Sequence, residues 1–204
     1  MNAPTQQPEI IPAIGTFMEG GYFGGRINVN GTHKGVIWAP KKEGQIKAAL
    51  QSFGTLDGAR SPNDCAANMK DLIEAGSPAA EQIAALTING FSDWLIPSRD
   101  VLELGYRHFK PTSYENYCSW RDGENANSVP PGWLYTSASP AKTAIEALQG
   151  DGEEAFDEAW YRSSTVLPDG DAAFSQFFND GGQSLSYLSW EGRVRAVRLI
   201  QLGS

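Results

Sequence analysis

The sequence predicts an α+β domain built from small antiparallel sheets, two main helices and long loops. Three observations lead there. An Asn-Gly turn joins two strand-like runs near the start. Capped segments with helical spacing fill the middle. Short β-rich runs separated by Gly-containing turns fill the last third.

Residues 1–14 read as an arm or linker, because Pro4, Pro8 and Pro12 alternate with polar spacers. Residues 15–204 read as one domain. In the first hairpin, Gly21 to Val29 alternates from Phe23 onward, although Gly25 interrupts the apolar face. Asn30-Gly31 supplies the turn, Gly35 to Ala39 returns, and Pro40 ends the strand. Ser61-Pro62-Asn63-Asp64 starts a helix over Cys65 to Glu74 with Met69, Leu72 and Ile73 on one face, and Gly76 stops it. Ser77-Pro78 opens a second helix with Ile83 and Leu86 inward. Ser98 is the expected cap of a third, in which Leu102, Tyr106 and Phe109 recur at i, i+4 and i+7. Pro111 to Gly132 shows no period and reads as a surface loop. Trp133 to Ser137 reads as a strand, Ser139-Pro140 as the start of a short helix to Leu148, and Asp151 to Glu158 as a solvated acidic run. Ala159 to Thr165, Ala172 to Phe178 and Arg193 to Ile200 read as strands.

Composition excludes several classes. Of 204 residues, 41% are hydrophobic and 11% aromatic, which is too apolar for a disordered chain. No apolar run approaches the roughly 20 residues needed to span a bilayer, so no membrane insertion is expected. The start of the chain shows neither a basic region nor an apolar stretch of the secretory kind. A net charge of −8 argues against nucleic acid as a partner. Cys65 and Cys118 are the only cysteines, readable as two buried thiols or as one bridge. His33 and His108 belong to no metal-binding pair.

Catalytic motifs are missing from the text of the chain. There is no phosphate-binding glycine loop, no nucleophile elbow and no pair of carboxylates singled out by context. No enzyme, cofactor or metal is expected. Asp169-Gly170-Asp171 has the carboxylate spacing of part of a Ca²⁺ site, but without further ligands it reads as a turn. The aromatics carry more. Tyr117, Trp120, Tyr187 and Trp190 lie in polar or Gly/Ser-rich segments, where rigid rings give contact area at small entropic cost.

Four ordered motifs between about residue 88 and residue 200 resemble the Lcl C-terminal domain family. Asn89 to Leu104 is similar to that family's G-x-x-D-W-R-L-P stretch, with Leu95-Ile96 in place of Arg-Leu. Trp160 to Thr165 resembles its Y-W-S-S-T strand, Phe177 to Gly182 its F-x-x-G hairpin, and Arg193 to Arg198 its closing V-R-x-V-R strand. The resemblance implies a C-type-lectin-like fold without the Glu-Pro-Asn or Trp-Asn-Asp triplets of Ca²⁺-dependent sugar binding. It places Trp94 and Trp160 in the core, gives Ser163, Ser164 and Thr165 structural duties and pairs Arg198 with a buried acid.

Domains of this kind occur in phage tail-fibre and tail-tip proteins and in bacterial adhesins. The expectation is therefore a non-enzymatic module of a phage tail that binds a host surface glycan or protein receptor, localised to the virion and attached to other tail or fibre proteins. A homotrimer is the expected assembly by analogy with tail fibres. The alternatives are a structural decoration or adaptor protein of the virion and an adhesin domain of a bacterial surface. The expected contact residues are Tyr117, Trp120, Asn125, Asn127, Asp169, Asp171, Tyr187 and Trp190.

Overall fold

The computed structural model describes residues 10–119 and 122–202, so Trp120 and most of the expected arm lie outside the described residues. The architecture is α+β, with two five-stranded sheets and four α-helices among the described residues. The first sheet contains β1 (Phe17–Met18), β2 (Gly21–Val29), β3 (Thr32–Trp38) and β10 (Val197–Ile200) in that order, with β5 (Ser128–Val129) also on β2. The second runs β4 (Gln45–Ala48), β9 (Gly192–Arg195), β6 (Trp160–Val166), β7 (Ala172–Phe177) and β8 (Gln183–Tyr187). Its pairings are antiparallel except for β6 with β9.

The hairpin β2–β3 forms around Asn30-Gly31, where both residues take positive φ. Its apolar face is interrupted as expected, and the reason is a bulge at Gly24-Gly25, where register shifts between Phe23 and Arg26. A Cβ on Gly24 would lie 2.4 Å from the Trp38 ring, and one on Gly105 equally close to it. Two missing side chains thus make the slot for one indole.

The helices follow their caps. Asp64 accepts from the amides of Ala66 and Ala67 and opens α2 (Cys65–Glu74). Ser77 accepts from Ala80 and opens α3 (Pro78–Ala84). A single turn, α1 (Lys41–Gly44), precedes β4. The longest, α4 (Arg99–Phe109), begins after Ser98, but the Ser98 hydroxyl makes no cap; its partner is the Cys65 thiol at 3.4 Å. Met69 and Leu72 are buried, whereas Ile73, expected inward, is 41% exposed.

One apolar cluster packs α2 and α3 with Trp94 and Ile96 against β4, β9 and β6. A second joins Trp38 and Ile27 to α4 and to Tyr135, Phe156, Tyr161 and Phe178. Phe156 is the hub of the second. Its ring meets Trp38 at 5.3 Å, Tyr161 at 5.1 Å and Phe178 in a stack at 4.2 Å.

Four expectations need correction. Residues 133–137 form no strand; Trp133 is 80% exposed and only Tyr135 points inward. Residues 140–148 contain just a 3-10 turn at Glu146–Leu148, because the Pro140 carbonyl is taken by Asn116 and Lys110 rather than by a helical amide. The acidic run is not a solvated face: Ala155 and Phe156 are core, Glu154 binds Arg195 at 2.7 Å, and Asp157 binds Lys41 at 2.8 Å and Arg193 at 3.0 Å. Residues 193–200 are not one strand. Ala196 breaks them, its N–H donating to Gly44 and its C=O accepting from Ala39, so β9 and β10 enter different sheets. At that break Arg195 lies fully inside, where its Nε donates to Ala39 and its Nη2 to Glu154.

Arg198 does meet an acid, Asp93, but that carboxylate is largely exposed; the guanidinium is sheltered by the Phe91 ring instead. Both thiols are free; Cys65 is buried and Cys118 exposed.

Candidate functional site

The hairpin β6–β7 and the edge strand β8 together form one wall of the molecule. The turn between β6 and β7 is tight: Leu167 N–H donates to Ala172, Gly170 N–H to Leu167, and Leu56 N–H to Gly170. Gly170 takes φ +77, and a Cβ there would meet the Leu56 carbonyl at 2.5 Å. This docking presents Asp169 and Asp171 on either side of a glycine pressed against the body. Both are exposed, and neither carboxylate has a hydrogen-bond or ion-pair partner among the described residues.

β7 pairs with β8 in the register Ala172↔Tyr187 to Gln176↔Gln183. Among the described residues, β8 has no strand on its far side. An open groove of about 730 Å³ follows it, lined by Trp160, Asp169, Asp171, Ser184, Tyr187 and Trp190 among others. Tyr187 is 74% exposed and Trp190 39%. Trp160 stacks on Phe177 at 5.2 Å with 22° between ring planes.

Trp190 is held from behind. Arg162 is completely buried, and its guanidinium lies 5.3 Å from the Trp190 ring centre. It donates to the carbonyls of Tyr187 at 2.7 Å and Leu188 at 3.2 Å, while its Nε has no partner among the described residues. Burial pushes its pKa down to about 10, so it remains a cation at neutral pH. A Cβ on Gly192 would lie 2.3 Å from the same indole. The turn after β8 and its tryptophan are therefore set in place before any ligand arrives.

A second pocket of about 380 Å³ lies across Leu185, lined by Tyr117, Asp122, Phe174 and Gln183. Tyr117 is positioned by its N–H, which donates to the Asp180 carbonyl. Leu167, Ser184 and Leu185 line both pockets, so the two adjoin along β8.

Five of the expected contact residues thus fall on one wall: Tyr117, Asp169, Asp171, Tyr187 and Trp190. Asn125 and Asn127 do not belong to it. Asn125 is fully buried, its amide donating to the Asp100 carbonyl at 2.8 Å and the Glu103 carboxylate at 2.6 Å, while its oxygen accepts from the Ser128 N–H. Asn127 is half-buried and donates to Asp100 at 2.7 Å. Both are spent on holding residues 122–129 against α4, so that stretch is an internal seam rather than a surface loop.

The same seam buries Glu103 between Asn125, Arg107 at 2.8 Å and the Tyr135 hydroxyl at 2.9 Å. Burial raises the Glu103 pKa, and Arg107 and the two hydrogen bonds pull it back only in part.

Trp160 is misplaced in the opposite sense: expected in the core, it faces the groove. Ser184 and Ser186 were missed outright. The signal for them was the alternation Gln183-Ser184-Leu185-Ser186-Tyr187, which has the period of a half-exposed strand.

Among the described residues, no group of three His, Cys, Asp or Glu is placed to hold a metal ion. No helix among them is long and apolar enough to cross a membrane. The chain matches no protein-family model, and no curated protein matches it.

Proposed function

We propose that this protein is a non-enzymatic recognition module, a phage tail-fibre or tail-tip protein that contacts the host cell surface through the wall along β8. The observation that carries the reading is the aromatic groove of about 730 Å³, with Trp190 immobilised on Arg162 and Gly192. Rigid aromatic anchors beside unpaired polar groups are what a binding surface needs, since little entropy is lost when a ligand docks. The four motifs resembling the Lcl C-terminal domain family support a lectin-like scaffold and the placement in a phage tail. The virion is the proposed location, and a homotrimer remains the proposed assembly.

The test is attachment. In a binding assay with fluorescently labelled protein on a panel of bacterial cells, Tyr187→Ala combined with Trp190→Ala lowers cell-bound protein about tenfold or more, the loss typical of a central aromatic anchor. Unchanged binding refutes the assignment. A second reading, an adaptor that joins another tail protein, is favoured by the free edge of β8, which suits strand addition. Particles lacking the chain that assemble but fail to attach support the first reading; particles that do not assemble support the second.

A further inference from the structure

The groove along β8 differs from one end to the other, and we infer that it takes an extended oligosaccharide of amine-bearing sugars, a glucosamine-type chain, with one ammonium seated at Asp169 and Asp171. This rests on the recognition reading above and names the ligand of that same wall.

Length comes first. The floor is β7, whose six residues run from Ala172, beside the two aspartates, to Phe177, beneath Trp160. At about 3.3 Å per residue this is roughly 17 Å, space for about three pyranose rings in a row. The chemistry then changes along that line. Trp160 offers one flat face, its other face being stacked on Phe177. Trp190 and the hydroxyls of Ser184 and Ser186 lie between. Tyr187 and the two carboxylates close the far end. Ring faces suit the C–H faces of sugars, and hydroxyls suit their equatorial oxygens.

Charge selects among sugars. Among the described residues, two carboxylates and no Lys or Arg line the groove. Three acids elsewhere each meet a cation: Glu103 with Arg107, Glu154 with Arg195, and Asp157 with Lys41. The carboxylates of Asp169 and Asp171 face the groove with no cation against them among the described residues. A uronic or sialic acid, or a phosphate-linked polymer, meets repulsion there. A neutral glycan leaves both carboxylates uncompensated. An ammonium satisfies them and also lies against the Tyr187 ring.

The experiment is a titration of the full chain, followed by tryptophan fluorescence, with three probes: glucosamine trimer, its fully N-acetylated counterpart and trilysine. The pH is held below the titration of the sugar amine. The glucosamine trimer is expected to bind about fivefold to tenfold more tightly than the acetylated trimer, as two exposed charge contacts and one cation–π contact allow. In Asp169→Asn/Asp171→Asn, with an unchanged thermal midpoint, that preference disappears. Gly192→Ala, which displaces Trp190, weakens both trimers alike. Equal binding of the two trimers overturns the inference, as does trilysine binding as tightly as the glucosamine trimer, or no saturable response to either sugar. If neither sugar binds while Tyr187→Ala/Trp190→Ala still abolishes attachment to cells, the ligand class is wrong and the recognition reading stands. If attachment is also unaffected, both fall.

Discussion

Replacing Phe156 with alanine removes the hub of the second apolar cluster. The side chain is 1% exposed and lies in a sequence of acids, Asp151 to Glu158, where a solvated loop was expected. Its ring contacts Trp38, Tyr161 and Phe178, stacks more distantly on Phe109 at 6.4 Å, and carries the Arg195 guanidinium 5.0 Å from its centre. A buried Phe→Ala exchange costs about 3–5 kcal/mol through lost transfer energy and the cavity left behind. The aromatic pairs and the cation over the ring push this case to the upper end, about 4–5 kcal/mol. For a chain of this length each kcal/mol moves the thermal midpoint by about 2–4 °C, so a fall of about 10–15 °C is expected. Urea unfolding followed by circular dichroism gives the same quantity as a lowered midpoint at constant m-value. Phe156→Leu, which keeps most of the volume, loses only about 1–2 kcal/mol. Glu153→Ala, an exposed change three residues earlier, stays within about 0.5 kcal/mol. A loss below about 1 kcal/mol for Phe156→Ala refutes the packing described for this segment.

Three further expectations follow from particular contacts. Gly105→Ala reverses the usual sign: an alanine normally strengthens a helix by about 1 kcal/mol, but here its Cβ would sit 2.4 Å from Trp38, so a net loss of about 1–2 kcal/mol is expected in thermal unfolding. Asp157 is pushed up by burial, yet its bonds to Lys41 and Gln45 and the charge of Arg193 hold its carboxyl below the usual range. Its contribution is therefore present above about pH 4 and lost as pH falls through the lower folded-state value, so Asp157→Asn costs about 1 kcal/mol at pH 7 and flattens the acid limb of the stability curve; an unchanged limb contradicts this. Ellman's reagent should modify one thiol quickly, Cys118, while Cys65, whose pKa burial pushes up to about 11, reacts only after unfolding; two fast thiols count against the burial of Cys65 beside Ser98.

The elements that were legible in the sequence are those whose signals are local. Asp64, Ser77 and Asn30-Gly31 act on residues two to four positions away, and α2, α3 and the first hairpin form where those signals stand. What was illegible depends on partners far along the chain. Ser139-Pro140 carries the marks of a helix start, but Lys110 and Asn116 claim the Pro140 carbonyl from outside. Ala196 is an ordinary strand residue until Ala39 and Gly44 take its backbone from two directions. The candidate site divides the same way. Trp190, Asp169 and Asp171 stand in turns, and Tyr187 at the end of an edge strand, where no apolar period requires them, and all four reach the wall along β8. Asn125 and Asn127 were indistinguishable from them in composition; only the position of α4 turns their amides inward.

The division at Ala196 also sets the order in which the chain can be completed. β10 pairs with β3, and β9 lies between β4 and β6. During synthesis, then, every strand up to Tyr187 has left the ribosome while the first sheet still lacks the partner of β3 and the second still has a gap between β4 and β6. β9 closes that gap by pairing with both strands, and its Arg195 reaches back 156 positions to Ala39. Pairing across such separations is slow, and open strand edges are exposed until it occurs. Residues 192–200 therefore behave as a zip fastener pulled last: losing this short stretch leaves two unfinished sheets rather than a slightly shortened one.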